Sequence, residues 1–505
     1  MDPKLQKKAL DYSIIDGGFS AIAGAFLGGI ILTGFALNVL NATHIQIGIL
    51  ASLPMIANIF QIMGAYIIEK RGERKNFCIY TVIASRIVWI PVILLPFVIF
   101  SSVDVWKIWI LAGTLAVSSL FAAFSGVAWL AWTSDLVPDN ILGSYFGKRN
   151  MVMYGAAMVA VLLGGKFLTV WGNLFSKTNP YGFIILFALG IIAGLAGAIY
   201  LYLIPEADKV IKKAPDNFAV LLKPLKDKNF LMLLIFVSAW MFAIQLAAPF
   251  YAVFMIQNLK ISFATITVFT TLATLATVFA MNIWGPISDK LGNKPIIIVS
   301  GWFLIAVPFI WILPLPNSYY LPLLTAHMLS GAFMAGTTLS QFNMLVRLSS
   351  AEGRSAYLAL FAAFTGITGA IAPIIGGSLL GFLKNFSFNI AGYDISNLQM
   401  LFILSSILQA LTVFFILKVK EPKAATPIAV IMQLTNDLNP QTGVASVTDF
   451  MMLNIKKTKG ALTQIDMITD RLADKSEAKI GKALDAVDRM VRKPIEKIIN
   501  FFKEE

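Results

Sequence analysis

The sequence is poor in charged residues, cysteine and histidine. Only 13% of its 505 residues are charged, and it contains one cysteine and two histidines. A single cysteine, Cys78, excludes an intrachain disulfide and a cysteine-ligated metal cluster. No phosphate-binding loop of the G-x-x-x-x-G-K-S/T type and no hydrolase arrangement of serine, histidine and acid is present. We therefore expect no enzymatic activity, no cofactor, no metal site and no ATP-driven pumping.

Apolar residues dominate the chain instead. Hydrophobic residues make up 58% of it and aromatic residues 12%, which is typical of a protein that lies in a lipid bilayer. Runs of roughly 18 or more apolar residues suffice to cross the bilayer as helices. Twelve such spans are predicted, at 17–40, 45–68, 77–100, 106–132, 150–171, 181–204, 230–258, 263–288, 295–313, 319–345, 356–383 and 398–417.

The formal charge of +13 arises from basic residues that are concentrated in alternate loops. Most loop lysines and arginines fall at the N-terminus and in every second loop. The opposite loops hold only Lys107, Lys177, Lys260 and Lys384. This asymmetry indicates membrane orientation and no nucleic-acid partner. It predicts a plasma-membrane protein with the N-terminus, the central loop and the C-terminus in the cytoplasm.

A weak internal repeat divides the chain into two halves. At one constant offset Glu69 corresponds to Asp289, Lys70 to Lys290, Gly72 to Gly292 and Arg74 to Lys294. We predict an N-terminal six-helix bundle (1–204), a central loop (205–229), a C-terminal six-helix bundle (230–420) and a tail (421–505). A duplicated twelve-helix arrangement is typical of transporters that bind substrate between their halves.

The loop GPISDKLGNK resembles the signature of the major facilitator superfamily. Gly285, Asp289, Lys290, Gly292 and Lys294 match it. The N-terminal copy departs from the pattern, with Ala65, Glu69 and Glu73 at altered positions, while Lys70, Gly72 and Arg74 conform. The phrases IIDGGFSAI, WLAWTSDLVP and YFGKRN look like a poorly characterised bacterial branch. The resemblance covers about residues 10–420.

This resemblance implies an all-α polytopic fold, with twelve transmembrane helices in two pseudo-symmetric bundles, and transport by alternating access. It also implies a conformational latch, with Glu69 and Asp289 as anions and Lys290, Lys294 and Arg74 as partners. Carboxylates near helix N-termini gain from the helix dipole, and glycines permit tight turns. The alternative is that these charges only fix topology.

The eleventh span contains a glycine-rich phrase, GITGAIAPIIGG. It resembles an antiporter motif of the superfamily, but that motif belongs in the fifth span, where this chain has Val161 in place of the proline. Glycines allow close helix packing in lipid, and a proline allows a bend. We predict a packing role for Gly366, Pro373, Gly376 and Gly377.

Ionisable and polar residues inside the spans are candidate substrate contacts, because charges are costly in hydrocarbon. Arg86 could bind an anionic group or pair with a neighbouring helix. His327 could bind substrate, carry a proton or simply pack. Gln245 could orient a solute or form a hydrogen bond between helices. Trp129 could also orient a solute, or it could belong to an interfacial aromatic belt. Asp16, placed near the start of the first span, is with His327 a possible proton site.

The predicted function is transport of a small organic solute by a monomer, as a uniporter or a symporter. The alternative is a transporter-like sensor without net flux, with the tail as its output. In the tail, Ile480, Leu484, Val487 and Val491 share one face of a predicted helix with lysines and arginines beside it. This helix is expected on an anionic lipid surface, or in a short coiled coil.

Overall fold

The computed structural model describes residues 3–71, 74–95, 104–138, 142–205, 218–349, 354–384, 386–390 and 393–437. Eleven described segments are long and apolar enough to span a membrane. Residues Met1–Val430 form one compact unit, and Ile431–Glu505 form another. The α-helices are α1 (Pro3–Leu27), α2 (Gly29–Asn38), α3 (His44–Ile59), α4 (Gln61–Arg71), α5 (Arg74–Ile87), α6 (Ile90–Leu94), α7 (Asp104–Leu136), α8 (Leu142–Leu174), α9 (Tyr181–Leu203), α10 (Lys228–Val253), α11 (Phe263–Leu291), α12 (Asn293–Ile310), α13 (Tyr320–Leu348), α14 (Arg354–Phe382), α15 (Asn397–Lys418) and α16 (Pro427–Asp437).

Three predicted spans of the N-terminal half are each divided into two helices. The first breaks at Gly28 and Gly29, where Gly29 has a φ of +53°, a backbone conformation that glycine adopts without strain. The second breaks at Phe60, between α3 and α4, and the third at Val88 and Trp89, just before Pro91. In the C-terminal half, α10 is extended by a π-helical turn, Phe254–Asn258.

The predicted tenth span is α13, which has the length of a spanning helix but a more polar composition. Its 29 residues include His327, Gln341 and Asn343. It is not among the eleven segments that are apolar enough by sequence, yet it packs against α11 and α12. Buried neighbours, rather than lipid, thus accommodate its polar side chains. A β-hairpin of β1 (Ser387–Ile390) and β2 (Tyr393–Ser396) joins α14 to α15, with Ser387 paired to Ser396.

Two predicted helix starts are wrong, and both errors concern charged residues. The first helix begins at Pro3 rather than at residue 17, so Asp16 lies more than three turns inside α1 and is 2% exposed. The fifth span begins at Leu142 rather than at residue 150, so Arg149, which precedes the predicted span, lies inside α8 and is 8% exposed. The predicted amphipathic tail helix beyond residue 448 lies outside the described residues.

Candidate functional site

The two halves meet most extensively where α3 packs on α14. A methyl group at Gly48 would overlap the carbonyl of Pro373, and one at Gly377 would lie 2.5 Å from the carbonyl oxygen of His44. Gly366 faces Met55 and Ile59 farther along the same contact. Small residues thus let the two backbones approach closely across the interface. Gly376 points the other way, against the Leu246 carbonyl of α10, so the whole phrase from Gly366 to Gly377 lies in helix contacts.

A second contact joins α8 to α11. Gly165 packs against Thr267, and Thr169 Oγ1 accepts a hydrogen bond of 3.0 Å from the backbone nitrogen of Ala264. Ala264 opens α11 and Thr169 lies near the end of α8, so this contact lies at the side opposite the N-terminus.

The other side of the bundle, where α1 begins, is called here the N-terminal side. There α4 packs against α3 and α7 of its own half. It exposes Ile62, Met63 and Tyr66. The described close contacts between the halves thus lie toward the side opposite the N-terminus.

A cavity of about 420 Å³ lies between the halves. It is lined by α2, α3 and α7 from one half and by α10, α11 and α13 from the other, together with the break at Gly28 and Gly29. Most of the lining is isoleucine, leucine, alanine, proline and methionine. No described lining residue is an aspartate, glutamate, lysine or arginine. The polar side chains in the lining are Thr33, Tyr251, Thr270 and His327.

His327 is held in place by its neighbours on three sides. Its Nδ1 lies 2.8 Å from the carbonyl oxygen of Leu323, and its ring centroid lies 5.4 Å from those of Phe269 and Trp311. A carbonyl oxygen can only accept, so Nδ1 carries a hydrogen and Nε2 of the neutral ring is an acceptor. No described residue binds Nε2. The ring therefore packs against its neighbours and also lines the cavity.

Tyr251 is the second polar group that the cavity offers. Its ring lies 4.4 Å from that of Trp311 and 4.5 Å from that of Phe402, which fixes its orientation. The hydroxyl oxygen has no hydrogen-bond partner among the described residues. Thr33 and Thr270 instead donate to backbone carbonyls of their own helices. Gln245, predicted as a substrate contact, does not line this cavity, although it lies one turn before the lining residue Ala248.

A buried charged cluster lies inside the N-terminal half. Arg149 Nη2 lies 3.7 Å from Asp16 Oδ2, and Arg149 Nε donates a 3.3 Å hydrogen bond to the Ser13 carbonyl oxygen. The guanidinium carbon lies 3.8 Å from the ring centroid of Trp129, a cation–π distance. Asp16 also accepts a 3.4 Å hydrogen bond from Ser20 Oγ. Trp129 therefore stacks on a cation within the bundle, and the structure places it in neither the cavity lining nor an aromatic belt.

Arg86 lies near Asp16 of this cluster, in the last turn of α5. Two glycines of α9 make room for the pair, since a Cβ at Gly194 would lie 2.5 Å from Arg86 Nε and one at Gly197 would lie 3.0 Å from Asp16 Oδ1. The expectation that Arg86 contacts substrate in the central cavity is therefore not met, because Arg86 is directed into its own half. The Arg86 Nε atom is buried against Gly194 and has no hydrogen-bond partner among the described residues.

The C-terminal half carries its charges at helix ends. The carboxylate of Glu421, which follows α15, accepts hydrogen bonds from the backbone nitrogens of Asn293 at 2.9 Å and Lys294 at 2.6 Å. It thereby caps the N-terminus of α12, where a negative charge is stabilised by the helix dipole. Asn293 Nδ2 and Arg347 Nη1 also bind it, at 2.9 and 3.4 Å. Gly292, with a φ of +89°, leads into this cap.

The predicted latch residues take other positions. Lys294 Nζ donates to the carbonyl oxygens of Leu417 and Val419 at the end of α15, both at 2.8 Å. Asp289 and Lys290 are exposed, and Asp289 pairs with no described residue. In this conformation Lys294 is thus no partner of Asp289, and Glu421 is the anion at the helix terminus.

The remaining predicted latch residues are Arg74, Gly285, Gly72, Glu69 and Lys70. Arg74 Nη1 donates to the Ala131 carbonyl oxygen at 3.4 Å, which links α5 to α7. A Cβ at Gly285 would meet no atom within 4 Å in this arrangement. Gly72 and the side chains of Glu69 and Lys70 lie outside the described residues.

Sequence reasoning missed Tyr251, Glu421 and the buried position of Arg149. For Arg149 a signal was present, because Pro138, Asp139 and Asn140 are typical of the chain just before a helix. Tyr251 lies in an apolar run and Glu421 in a charged tail, so the local sequence pattern distinguishes neither residue from its neighbours. Among the described residues, no group of three histidine, cysteine, aspartate or glutamate side chains could hold a metal ion.

Comparison with known proteins identifies the family. The profile described as Major Facilitator Superfamily matches residues 17–252 and 231–462. The chain belongs to this superfamily and is a membrane transporter rather than an enzyme. The two overlapping matches follow the two halves. A search of curated proteins finds no match.

Solved structures with the same fold include several transporters. A mutant of the nucleoside transporter NupG is 14% identical, with 82% of this chain and 100% of that chain covered and a TM-score of 0.64. The xylose transporter XylE from E. coli, in an inward-open conformation, is 14% identical, with 83% and 98% covered and a TM-score of 0.60. A bacterial homologue of the iron transporter ferroportin, in an inward-facing state, is 13% identical, with 83% and 99% covered and a TM-score of 0.60. At such identities the likeness shows the fold alone.

Proposed function

We propose that this transporter carries a small, uncharged and largely apolar organic solute by alternating access between its halves. The observation that carries the proposal is the cavity of about 420 Å³ at their interface. Its volume falls within the range of sites for small organic ligands. Its described lining offers no charged side chain, and a charged solute would lose its hydration there without gaining a counter-charge. This replaces the anionic substrate that Arg86 suggested.

Two polar groups would orient such a solute. His327 Nε2 presents an acceptor, and the Tyr251 hydroxyl can donate or accept. Both rings are fixed by aromatic neighbours, so little side-chain entropy is lost when a solute binds. A solute with at least one hydroxyl or amide group fits this pair better than a pure hydrocarbon.

The conformational cycle would use the contacts between the halves. In the present arrangement α3 with α14 and α8 with α11 close the side opposite the N-terminus. Separation of these helices, with closure of the N-terminal side, would present the cavity to the other compartment. The basic loops favour the cytoplasm for the N-terminal side, and this arrangement would then be an inward-facing one.

A ligand screen with matched variants tests the proposal. The purified protein is heated with panels of neutral solutes (nucleosides, pentoses, hexoses and apolar amides) and of charged analogues, because a ligand of the folded state raises the apparent unfolding temperature. Ala252→Phe would fill the cavity. Ile235→Phe, on an exposed face of the same helix, is the control.

We expect neutral solutes to stabilise the wild type and the control but not the Ala252→Phe variant, and we expect the same solutes to cross reconstituted liposomes. Stabilisation by charged solutes alone, or an undiminished response in Ala252→Phe, would contradict the proposal. The sensor alternative depended on the tail as its output, and nearly all of the tail lies outside the described residues.

A further inference from the structure

A second cavity, of about 480 Å³, lies between the halves at the side opposite the N-terminus. One half contributes the ends of α2 and α8, the loop after α8 and the start of α9. The other contributes the π-helical turn after α10, the loop that follows it and the start of α11. The halves touch there, because the ring of Phe263 packs on Gly34 and its centroid lies 5.8 Å from that of Phe183. The second cavity shares no described lining residue with the central cavity.

Positive charge is collected in the second cavity. The loops predicted for this side of the membrane hold few basic residues, yet Lys177 of one half and Lys260 of the other both line it. Its described lining contains no aspartate or glutamate, and neither lysine pairs with a described acidic residue. Both lysines are exposed, so a ligand can reach them. Positive charges that line one cleft without a counter-charge attract an anion.

The backbone holds Lys260 in an uncommon conformation. Its φ is +53°, in the left-handed region that favours glycine and asparagine. The turn around it is fixed by backbone hydrogen bonds. The nitrogen of Leu259 donates to the carbonyl oxygen of Phe254 at 3.0 Å, and the nitrogen of Ile261 donates to that of Met255 at 2.9 Å. Such conformations persist where the surrounding structure fixes them, and they are concentrated at ligand sites.

The polar groups that remain available in the lining are mainly hydrogen-bond donors. Asn179 Oδ1 already accepts from Trp171 Nε1 at 3.3 Å, and Thr169 Oγ1 accepts from the first turn of α11 at 3.0 Å. The amides of Asn38 and Asn173 have no hydrogen-bond partner among the described residues, and each carries two donor hydrogens. A lysine ammonium group can only donate. A ligand with several acceptor oxygens therefore fits this lining.

We propose that the second cavity binds a phosphate group between Lys177 and Lys260. A phosphate ester has a charge of about −1.5 to −2 and strong acceptor oxygens, which match two ammonium groups and the neighbouring amides. Free phosphates and phospholipid head groups share this chemistry. Because one lysine comes from each half, a phosphate held by both stabilises the arrangement in which α8 contacts α11 over one in which these helices separate. The second cavity is thus a regulatory site, separate from the site of the transported solute.

The apparent unfolding temperature of the purified protein tests the proposal in two arms. In the first, sodium chloride is replaced stepwise by sodium phosphate at constant ionic strength. In the second, short-chain phosphatidic acid is added to the detergent, with phosphatidylcholine of the same chain length as its control. A ligand of the folded state raises this temperature with the logarithm of its concentration above Kd. The general stabilising effect of phosphate on folded proteins is measured with a Lys177→Gln, Lys260→Gln double variant.

We expect the wild type to rise by several degrees more than the double variant in at least one arm. A rise with inorganic phosphate would identify a soluble ligand, and a rise with phosphatidic acid alone would identify a lipid head group. Equal responses of the wild type and the double variant in both arms would overturn the proposal.

Single variants test whether one phosphate contacts both halves. Lys177→Gln and Lys260→Gln should each shift the response to about tenfold higher ligand concentration, since each removes one charge-assisted hydrogen bond. Lys384→Gln is the matched control, because Lys384 is an exposed lysine predicted on the same side but outside the lining, and it should keep the wild-type response. All three side chains are exposed, so folding should be preserved. An unchanged response in either Lys177→Gln or Lys260→Gln would contradict a site shared by the halves. None of these measurements depends on transport or on the identity of the solute.

Discussion

The N-terminal half buries its charges, whereas the C-terminal half keeps them at helix ends. Asp16 and Arg149 lie among α1, α7 and α8, at 2% and 8% exposure. Glu421 caps the N-terminus of α12, with half-exposed Arg347 beside it. The repeated loop signature therefore does not imply repeated electrostatics. Because the charges of the N-terminal half are buried, the loss of one partner there should cost much stability. The charges at the helix ends of the C-terminal half are screened by water, so the same loss should cost less.

The largest effect is expected from Asp16→Asn. This change keeps the side-chain shape but leaves Arg149 without its described counter-charge, and breaking a buried pair in this way typically costs about 3–5 kcal/mol. We expect a large fall in the folded fraction and in the apparent unfolding temperature. Both can be followed with a thiol-reactive fluorescent dye, because Cys78, the single cysteine of the sequence, is 0% exposed in the folded protein.

The matched control is Asp289→Asn, which removes an exposed carboxylate from the other half. It should leave the unfolding temperature unchanged. Equal stability of both variants would show that the two halves do not differ as described.

Gly48→Ala should act where the halves meet. The added methyl group overlaps the Pro373 carbonyl, and such overpacking costs about 1–3 kcal/mol unless the helices separate. We expect a shift toward molecules that are open at the side opposite the N-terminus, measured by distances between spin labels on α3 and α14.

Gly113→Ala is the control, because a methyl group at Gly113 meets no atom within 4 Å. It should leave the distance distribution unchanged. A Gly48→Ala variant with the wild-type distribution would argue against a tight α3–α14 contact.

Glu421→Ala should destabilise the C-terminal half to a smaller degree. Loss of the cap on α12 is expected to cost about 0.5–2 kcal/mol, the range for helix N-caps. Glu421→Gln, which can still accept from one backbone nitrogen, should lose less. Unfolding followed through the tryptophans of the C-terminal half, with Cys78 labelling unchanged, would locate the effect. A loss as large as that of Asp16→Asn would contradict the comparison.

Arg347→Gln should have the smallest effect. Its side chain is half-exposed and its 3.4 Å contact with Glu421 is an ion pair near the surface, so a cost of about 0–1 kcal/mol is expected. High salt should reduce even this difference in unfolding temperature. A larger cost that persists in high salt would indicate that Arg347 is buried in another conformation.

Membrane spans were predictable because they depend on local composition. The polar helix α13 was also found from the sequence, since its length and position complete the duplicated pattern. Helix starts were predicted less well, because the polar first turns of α1 and α8 look like loops until neighbouring helices bury them. Those errors placed Asp16 and Arg149 outside the membrane interior and hid the charged cluster.

By itself the sequence determined the class of protein, the number of spans, the duplication and the superfamily, because hydrophobic length and short loop signatures are properties of neighbouring residues. Tertiary structure decided which side chains meet. Arg86 packs against Gly194 of its own half rather than lining the cavity, Glu421 rather than Asp289 caps a helix, and His327 and Tyr251 share one lining. These pairings join residues far apart in the chain, and their partners are set by helix packing that no local pattern records.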